Sequence, residues 1–237
     1  MAKIVSLQFS QSIGRADSVK SFQFLSKQSL DFQPGQFAKI LFDKNNISNK
    51  ELNKYLSFSS PPGEKYLEFT KKLSKSKFSQ RLNKLKNGDE VFIQAPLGNH
   101  VFKDKYKKVA FLIGGIGITP VVSILGHIVK KSLDADVILI YSNRKESEIA
   151  FEEKLNRWQK NNQNIKIFYT ITDSRPNNSK FKLGYINEKM VSETIKDYKD
   201  RIFFIYGPPG MVSSMARLCA NIGCGPDKVK KEEFLGY

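Results

Sequence analysis

Three glycines lie in a short turn between two apolar runs, where they can leave room for a bound phosphate. The run VAFLI is followed by Gly114, Gly115 and Gly117, and Thr119 and Pro120 precede the next apolar run. Because glycines carry no side chain, phosphates can approach the backbone N–H groups, and the positive end of a following helix favours their charge. Thr119 can cap that helix and Pro120 suits its first position. The G-x-G spacing is part of a dinucleotide fingerprint, with Pro120 at the third glycine position.

A second turn and a polar cluster favour a nucleotide site over the alternative, a tight strand–helix turn that binds nothing. YGPPG places Gly207 and Pro208 after another apolar run, so the two turns are expected at one edge of a sheet. The run DVILIY leads into Ser142, Arg144 and Lys145, where an acid would favour NAD. These side chains can accept a 2′-phosphate, so NADPH is expected over NADH. The competing interpretation makes Arg144 and Lys145 solvated charges at a helix start.

The elements that must position these residues follow two patterns. The first hundred residues contain short runs rich in Phe, Val and Ile, separated by turn signals such as Pro34-Gly35 and Asn87-Gly88. They indicate an antiparallel β-barrel with one helix. The remainder alternates helices with nearly all-apolar strands, which indicates a doubly wound parallel α/β sheet. The predicted strands of that sheet are KVAFLI, DVILIY, IKIFYTIT and RIFFIYG.

Composition narrows the function classes. Hydrophobic residues make up 40% of the 237 residues, but no apolar run approaches the roughly 20 residues of a membrane span, and the start has no signal-peptide h-region. A cytoplasmic protein without an integral membrane segment is expected. Cys219 and Cys224 are too few for a disulfide framework or a metal cluster and are interpreted as ordinary thiols, so no metal is expected. The net charge of +16 attracts anions, unless it is a general basic surface.

Six motifs occur in the order found in the ferredoxin–NADP reductase superfamily, and on them the chain resembles that family from Val19 to Phe234. They are PGQF, KYLSFSSPP, GDEVFIQAPLGNHVF, GGIGITP, YGPPGM and EEF. The resemblance implies a flavin-binding Greek-key β-barrel over residues 1–104 and an NAD(P)-binding α/β domain over residues 105–237. It implies an NAD(P)H-dependent flavin oxidoreductase that carries FAD, with FMN as the alternative.

The resemblance also implies the residues that hold the flavin. The family motif Arg-x-Tyr/Phe-Ser/Thr falls on Lys54, Tyr55, Leu56 and Ser57. Ser57 is expected to hydrogen-bond the flavin near N5, and Lys54 to serve its phosphates without the bidentate fork of arginine. Leu56 replaces the family's stacking aromatic, a role that Tyr55 could take only in a different register. The remaining flavin contacts fall on the next strand and on a helix start: Phe69, Thr70, Lys71, Phe78 and Ser79.

For the nicotinamide end of the site, the resemblance implies residues near the C-terminus. Tyr206 stands where the family often has a cysteine that touches the nicotinamide, and Glu232 and Phe234 match a Glu-x-Phe that borders the flavin. Tyr237 is a candidate for a terminal aromatic stacked on the flavin, or else a surface aromatic without a role. The candidate catalytic residues are therefore Ser57, Tyr206 and Glu232.

No part of the chain is left over for a haem or iron–sulfur domain, so the electron acceptor is expected to be a separate molecule. An acidic ferredoxin or flavodoxin is favoured, because a basic protein attracts it and residues 71–86 carry seven positive charges and no acid. One alternative is a flavin, quinone or ferric reductase with a small-molecule acceptor. Another is the electron-transfer subunit of a larger oxidoreductase. A basic nucleic-acid-binding protein is a remote alternative, because no nucleic-acid-binding module is recognised.

Overall fold

The computed structural model describes residues 2–173 and 179–234, which form two compact units. One unit comprises Met1–Phe102 with Thr119–His127, and the other comprises Lys103–Ile118 with Ile128–Tyr237. In the described parts of the chain, no helix has the length and apolarity that crossing a membrane requires.

The first unit contains a six-stranded antiparallel sheet that curls into a barrel. Its strand order is β4-β3-β6-β1-β2-β5, and its outermost strands meet through a bridge between Phe58 and Phe69. The predicted antiparallel barrel is confirmed. Its strands are β1 (Lys3–Ala16), β2 (Val19–Ser26), β3 (Phe37–Leu41), β4 (Asn53–Ser57), β5 (Leu67–Lys72) and β6 (Glu90–Leu97).

Phenylalanines dominate the interior of this barrel. Phe9 and Phe24 meet edge to face with ring centroids 5.5 Å apart, and Phe58 and Phe69 lie 5.0 Å apart at the closing seam. Such aromatic pairs add about 0.5–1.5 kcal/mol each to the stabilisation that comes from area burial. The predicted helix is α1 (Lys77–Asn83), which buries Phe78 and Leu82 on one face because they lie at i and i+4.

A buried carboxylate ties β5 to β1 and β2. Glu68 on β5 is 1% exposed and accepts hydrogen bonds from Arg15 at 2.9 Å and from Gln23 at 3.0 Å. The Ser21 hydroxyl donates to the same carboxylate at 3.1 Å and contacts the Thr70 hydroxyl at 2.7 Å. Because removing one partner of a buried charge pair is costly, this network fixes the position of β5 beside β2.

The second sheet is parallel throughout and has the order β10-β9-β8-β7-β11-β12. The predicted doubly wound α/β fold is confirmed. Its strands are β7 (Lys108–Gly114), β8 (Asp136–Asn143), β9 (Ile165–Ile171), β10 (Phe181–Leu183), β11 (Ile202–Gly207) and β12 (Val229–Glu233). The remaining helices are α2 (Ile118–Lys130), α3 (Glu152–Asn161), α4 (Glu188–Thr194) and α5 (Pro209–Asn221).

The order of these strands reverses direction at β7. From β7 the chain adds β8, β9 and β10 on one side, and then places β11 and β12 on the other side. In such sheets the connections diverge at the reversal and leave a crevice at the carboxyl ends of the two strands, which is the usual position of a bound nucleotide. Here the crevice lies between the ends of β7 and β11, where the two glycine turns follow.

The sheet has two strands more than the four predicted for it. β10 has three residues, and β12 reads VKKEE without an apolar alternation. Both are edge strands, so they are held mainly by backbone pairing and need no apolar pattern. In the segment ESEIAFEEKLNRWQK between β8 and β9, Phe151 adopts a left-handed φ of 63°, and α3 begins only after it.

Candidate functional site

The first glycine turn forms one turn of 3-10 helix over Gly115–Gly117, between β7 and α2. Gly115 has a φ of +50°, a left-handed conformation that favours glycine. A Cβ on Gly117 would lie 2.7 Å from the carbonyl carbon of Tyr206, so this glycine lets the turn pass directly beside β11. Such a turn leaves the first N–H groups of α2 directed toward a ligand.

The start of α2 differs from the prediction. The helix begins at Ile118, so Thr119 and Pro120 lie within its first turn. Thr119 is 2% exposed, and because it lies inside the helix, the expectation that the helix begins after it was wrong. The 3-10 turn runs directly into the helix and takes the place of a capping residue. The positive end of the helix dipole still coincides with the glycine turn.

The second glycine turn lies beside the first. β11 ends at Gly207, Pro208 precedes α5 as its N-cap residue, and α5 begins at Pro209. The Met211 side chain on the first turn of α5 lies against Gly114, and its Sδ would be 3.1 Å from a Cβ on Gly207. Both turns thus follow neighbouring strands at the reversal point of the sheet, as the sequence predicted for a nucleotide edge.

The residues expected to read the coenzyme's ribose follow β8 directly. Ser142 is half-buried, whereas Arg144 and Lys145 are exposed, and no described residue forms an ion pair with either cation. The structure adds Asp173, which the sequence reading overlooked. The Asp173 N–H donates to the Arg144 carbonyl at 3.0 Å, so the backbone at the end of β9 lies beside that of Arg144. The Asp173 carboxylate itself accepts a hydrogen bond from the Thr172 hydroxyl at 2.8 Å. The signal for it was an acid shortly after the next apolar strand.

Tyr206, Glu232 and Phe234 come together at the carboxyl ends of β11 and β12. Tyr206 is fully buried and pairs in register with Glu232, and its ring stacks on Phe234 with centroids 6.4 Å apart. Burial raises the pKa of Tyr206 well above its ordinary value. Burial also raises the pKa of Glu232 from 4.5 to about 7, and no described residue hydrogen-bonds its carboxyl. Tyr237 lies outside the described residues.

The four residues of the expected flavin motif lie on β4, which pairs with β3 in a regular register. Ser57 is 6% exposed, and none of the described residues hydrogen-bonds its hydroxyl. Leu56 is half-buried against the barrel core, whereas Tyr55 is exposed. Because successive residues of a strand point to opposite faces and the pairing shows no bulge, Tyr55 does not take the place of Leu56.

Two lysines from neighbouring strands form an unpaired positive site. Lys71 on β5 is half-buried; burial lowers its pKa, and the Lys54 ammonium on β4 lowers it further. Neither lysine forms an ion pair with a described residue. Bringing two like charges together without a counter-ion is unfavourable, so the site suits an anionic ligand. Phe69 and Thr70, which precede Lys71, are buried, so only their backbone can face such a ligand.

The helix start expected to face the flavin diphosphate is built from serines. Ser79 is 1% exposed; its N–H donates to the Ser76 hydroxyl at 3.3 Å, and its own hydroxyl lies 3.2 Å from that of Ser74. The Phe78 ring is fully buried in the barrel core beside Phe42, so its backbone alone is available to a cofactor.

The two cysteines and the potential metal ligands of the described residues were compared with the requirements of thiol and metal sites. Across residues 2–173 and 179–234, no three His, Cys, Asp or Glu side chains come together as a metal site. Cys219 and Cys224 are buried thiols without a disulfide, and burial raises the pKa of both. High pKa values keep thiols in the unreactive protonated form.

The matching family model covers much of the second half of the chain. A family described as oxidoreductase NAD-binding domain matches residues 111–217, which include both glycine turns. An NADH-cytochrome b5 reductase-like protein of Arabidopsis thaliana is 31% identical over 166 residues, which are 68% of this chain and 50% of that protein. A nitrate reductase of Betula pendula, named for NAD(P)H, is 28% identical over 59% of this chain and 17% of that protein. The chain therefore spans half or less of these curated relatives.

The fold is shared with solved structures over nearly the whole chain. The cytochrome b5 reductase domain of Ulva prolifera nitrate reductase superimposes with a TM-score of 0.84. The match covers 97% of each chain at 21% sequence identity. At this level of identity the likeness is one of fold, the barrel followed by the parallel sheet.

Proposed function

Because the chain belongs to the ferredoxin–NADP reductase superfamily of NAD(P)H-dependent flavin oxidoreductases, we propose that it passes electrons from NADPH through FAD to a separate acceptor. The observation that carries the proposal is the pair of glycine turns at the reversal point of the parallel sheet. When bound, the nicotinamide supplies a hydride, and the flavin accepts both electrons and releases them one at a time. The task of the chain is to bind and orient these groups and to exclude water from them.

In this proposal the glycine turns hold the coenzyme's diphosphate. Gly115 and Gly117 bring the backbone N–H groups close to it, and the N-terminus of α2 stabilises its charge. Gly207 and Pro208 form the opposite wall of the crevice. A Cβ on Gly117 would meet the backbone of β11, so the width of this crevice depends on that glycine.

The flavin is proposed to bind along β4 and β5 of the barrel. The unpaired ammonium groups of Lys54 and Lys71 would neutralise its phosphates, which removes their mutual repulsion and the cost of burying Lys71. The Ser57 hydroxyl, which has no partner among the described residues, would donate to flavin N5. A diphosphate offers these lysines more negative charge than a single phosphate, so FAD is proposed over FMN.

Glu232 and Tyr206 receive different roles. Glu232 has a pKa of about 7, so its carboxyl can hold or release a proton at neutral pH. Tyr206 keeps its proton at any physiological pH, and its ring is fully buried against Phe234. We therefore assign Tyr206 a positioning role and keep Glu232 and Ser57 as the groups that contact the reacting cofactors.

NADPH is the proposed coenzyme because two exposed cations follow β8 without ion-pair partners. Arg144 and Lys145 can both reach a 2′-phosphate, which Arg recognises in bidentate fashion. Asp173 favours the second candidate, NADH, because a carboxylate beside the ribose would accept a hydrogen bond from its 2′-hydroxyl and repel a phosphate. The coenzyme preference of Asp173→Asn therefore separates the two candidates.

The proposed acceptor is an acidic ferredoxin or flavodoxin. The support is the net charge of +16 and the stretch from Lys71 to Lys86, whose cations Lys75, Arg81 and Lys84 are exposed. The Arabidopsis relative is named for cytochrome b5, which makes a haem protein a further acceptor of the same class. A small-molecule reductase remains the alternative function, and it requires no such surface.

A flavin titration tests the barrel half of the proposal. Apoprotein is titrated with FAD and with FMN, using wild type, Lys54→Gln, Lys71→Gln and the control Lys27→Gln, whose exposed lysine lies elsewhere on the same unit. Each charge-assisted contact to phosphate is worth about 1.5–3 kcal/mol, so the first two variants should weaken FAD binding about tenfold or more. Equal dissociation constants in all four proteins would place the flavin phosphates elsewhere.

A further inference from the structure

The Met211 side chain fills the space that the two glycine turns leave between them. Met211 lies on the first turn of α5, and its Cε would be 3.3 Å from a Cβ on Gly114. On the other side, its Sδ would be 3.1 Å from a Cβ on Gly207. A side chain on either glycine would therefore compete with the thioether for the same space. We call this space, between Gly114 and Gly207, the thioether seat.

Met211 is also more accessible than the other methionines of the described residues. It is half-buried, whereas Met190 and Met215 are 8% and 6% exposed and belong to the apolar core that α4 and α5 form with the sheet. Met1 lies outside the described residues. Because oxidation depends on exposure, a small oxidant should reach the Met211 sulfur before it reaches the sulfur of Met190 or Met215.

A thioether can be oxidised without first losing a proton. Hydrogen peroxide transfers one oxygen atom to the sulfur: an S–O bond forms, the O–O bond breaks, the sulfur loses two electrons and water leaves. A flavin oxidoreductase encounters this oxidant, because dioxygen that takes up two electrons and two protons becomes hydrogen peroxide. Burial raises the pKa of the Cys219 and Cys224 thiols, so these two sulfurs are less reactive competitors.

The additional oxygen of a sulfoxide does not fit the thioether seat. The seat is bounded by the backbone of Gly114 and Gly207 and by the Pro208 ring, whose Cδ would be 3.7 Å from a Cβ on Gly114. Adding an atom to a packed site forces the side chain or the neighbouring backbone to move. Because Gly114 leads into the first turn and Gly207 and Pro208 form the second, this movement changes the walls of the crevice between them.

From these observations we infer that Met211 is a modification site, where oxidation to the sulfoxide weakens coenzyme binding and enzymatic reduction restores it. Methionine sulfoxide is polar and chiral, and methionine sulfoxide reductases convert it back to the thioether. The effect on the coenzyme rests on the proposed function, in which the diphosphate lies between the two turns. The oxidation itself depends only on the exposure and position of Met211.

The test treats the flavin-loaded protein with hydrogen peroxide and compares it with untreated protein. Peptide mass spectrometry gives the fraction of each methionine that has gained one oxygen atom. Isothermal titration calorimetry gives the dissociation constants of NADP⁺ and NAD⁺, which carry no hydride and leave the flavin oxidised. Met211 should be oxidised before Met190 and Met215. Its oxidation should raise the dissociation constant of the coenzyme about fivefold or more, as expected from overpacking a filled site.

Two variants separate the Met211 sulfur from the rest of the protein. Leucine keeps the apolar volume but carries no sulfur, so peroxide should leave the dissociation constant of Met211→Leu unchanged from its own untreated value. The matched control Met215→Leu removes a buried sulfur one turn further along α5 and should lose affinity by the same factor as wild type. Methionine sulfoxide reductases A and B with dithiothreitol should reverse the loss in wild type, whereas dithiothreitol alone should not.

Four results would overturn the inference while leaving the proposed function intact. They are a Met211 that stays unoxidised while Met190 or Met215 gains oxygen, an unchanged dissociation constant after Met211 is oxidised, a wild-type loss of affinity in Met211→Leu, and a loss that dithiothreitol alone reverses. The last result would assign the effect to Cys219 and Cys224. An untreated, flavin-loaded protein that binds neither NADP⁺ nor NAD⁺ would remove the proposed coenzyme site and this inference together.

Discussion

Glu232→Gln should stabilise the second unit at alkaline pH and leave it almost unchanged in acid. Burial raises the pKa of Glu232 from 4.5 to about 7 in the folded chain. Below pH 4.5 the carboxyl is neutral in both states, so it adds no cost. Between these values the unfolded chain loses the proton first, so the free energy of unfolding falls as pH rises, by up to 1.36 kcal/mol per pH unit.

Above pH 7 the folded chain carries the full cost of a half-buried carboxylate. The shift from 4.5 to about 7 corresponds to at most about 3.4 kcal/mol, and partial exposure reduces this to about 1–3 kcal/mol. Glutamine is neutral at every pH and avoids the cost. The variant should therefore match wild type near pH 4.5 and exceed it by that amount at pH 8.

Urea unfolding at a series of pH values measures the effect, with the fluorescence of Trp158 as the signal. Trp158 is the only tryptophan and lies on α3, so it reports on the same unit as Glu232. Glu233→Gln serves as the matched control, because the neighbouring side chain is exposed and its difference from wild type should not vary with pH. If the free energies of unfolding of wild type and Glu232→Gln differ by the same amount from pH 4.5 to 8, burial does not raise the pKa of Glu232.

Three further predictions concern the turn, the coenzyme and the acceptor. Gly117→Ala should lower the free energy of unfolding by about 1–3 kcal/mol and raise the KM for the coenzyme, because its Cβ meets the β11 backbone. Thermal melts and steady-state assays measure these effects, and the control Gly210→Ala, whose Cβ meets open space, should show neither. Neutralising Arg144 and Lys145 together should raise the KM for NADPH and barely change that for NADH; the same KM change for both coenzymes would remove the 2′-phosphate role. Rising salt and Lys75→Glu should both slow reduction of an acidic ferredoxin while a neutral quinone is unaffected; equal slowing of both acceptors in stopped-flow traces would make the basic stretch a solvated face.

The pattern of apolar residues along the chain predicted most of the fold. The strands that it did not predict are held by pairing with strands distant in the sequence. Four parallel strands were predictable because strands covered on both faces are continuous apolar runs, as in Val109–Ile113. β12 was not predictable from the sequence, because its backbone pairs with β11 while its side chains are mostly charged. β4 was recognised as a motif but not as a strand, because NKYLS mixes polar and apolar residues at an edge that closes the barrel.

In the candidate site, too, some features follow from local sequence and others from strand pairing. The glycine turns are local features, and their positions at strand ends follow from the sequence. Two other features join residues from different strands: Lys54 lies near Lys71, and the Asp173 N–H bonds to the Arg144 carbonyl. They depend on a strand register that no single segment encodes. The raised pKa of Glu232 likewise comes from burial beside Tyr206, which only the folded sheet supplies.

Flavin binding and its reduction by NADPH are tested by the absorbance spectrum of the purified protein, followed by anaerobic titration with NADPH. We expect the visible absorbance of one oxidised, non-covalently bound flavin per chain, which NADPH then bleaches in a one-to-one ratio. Flavin released by denaturation should be FAD. A colourless protein that fails to bind added FAD or FMN, or a bound flavin that neither NADPH nor NADH bleaches, would show that the chain is not an NAD(P)H-dependent flavin oxidoreductase.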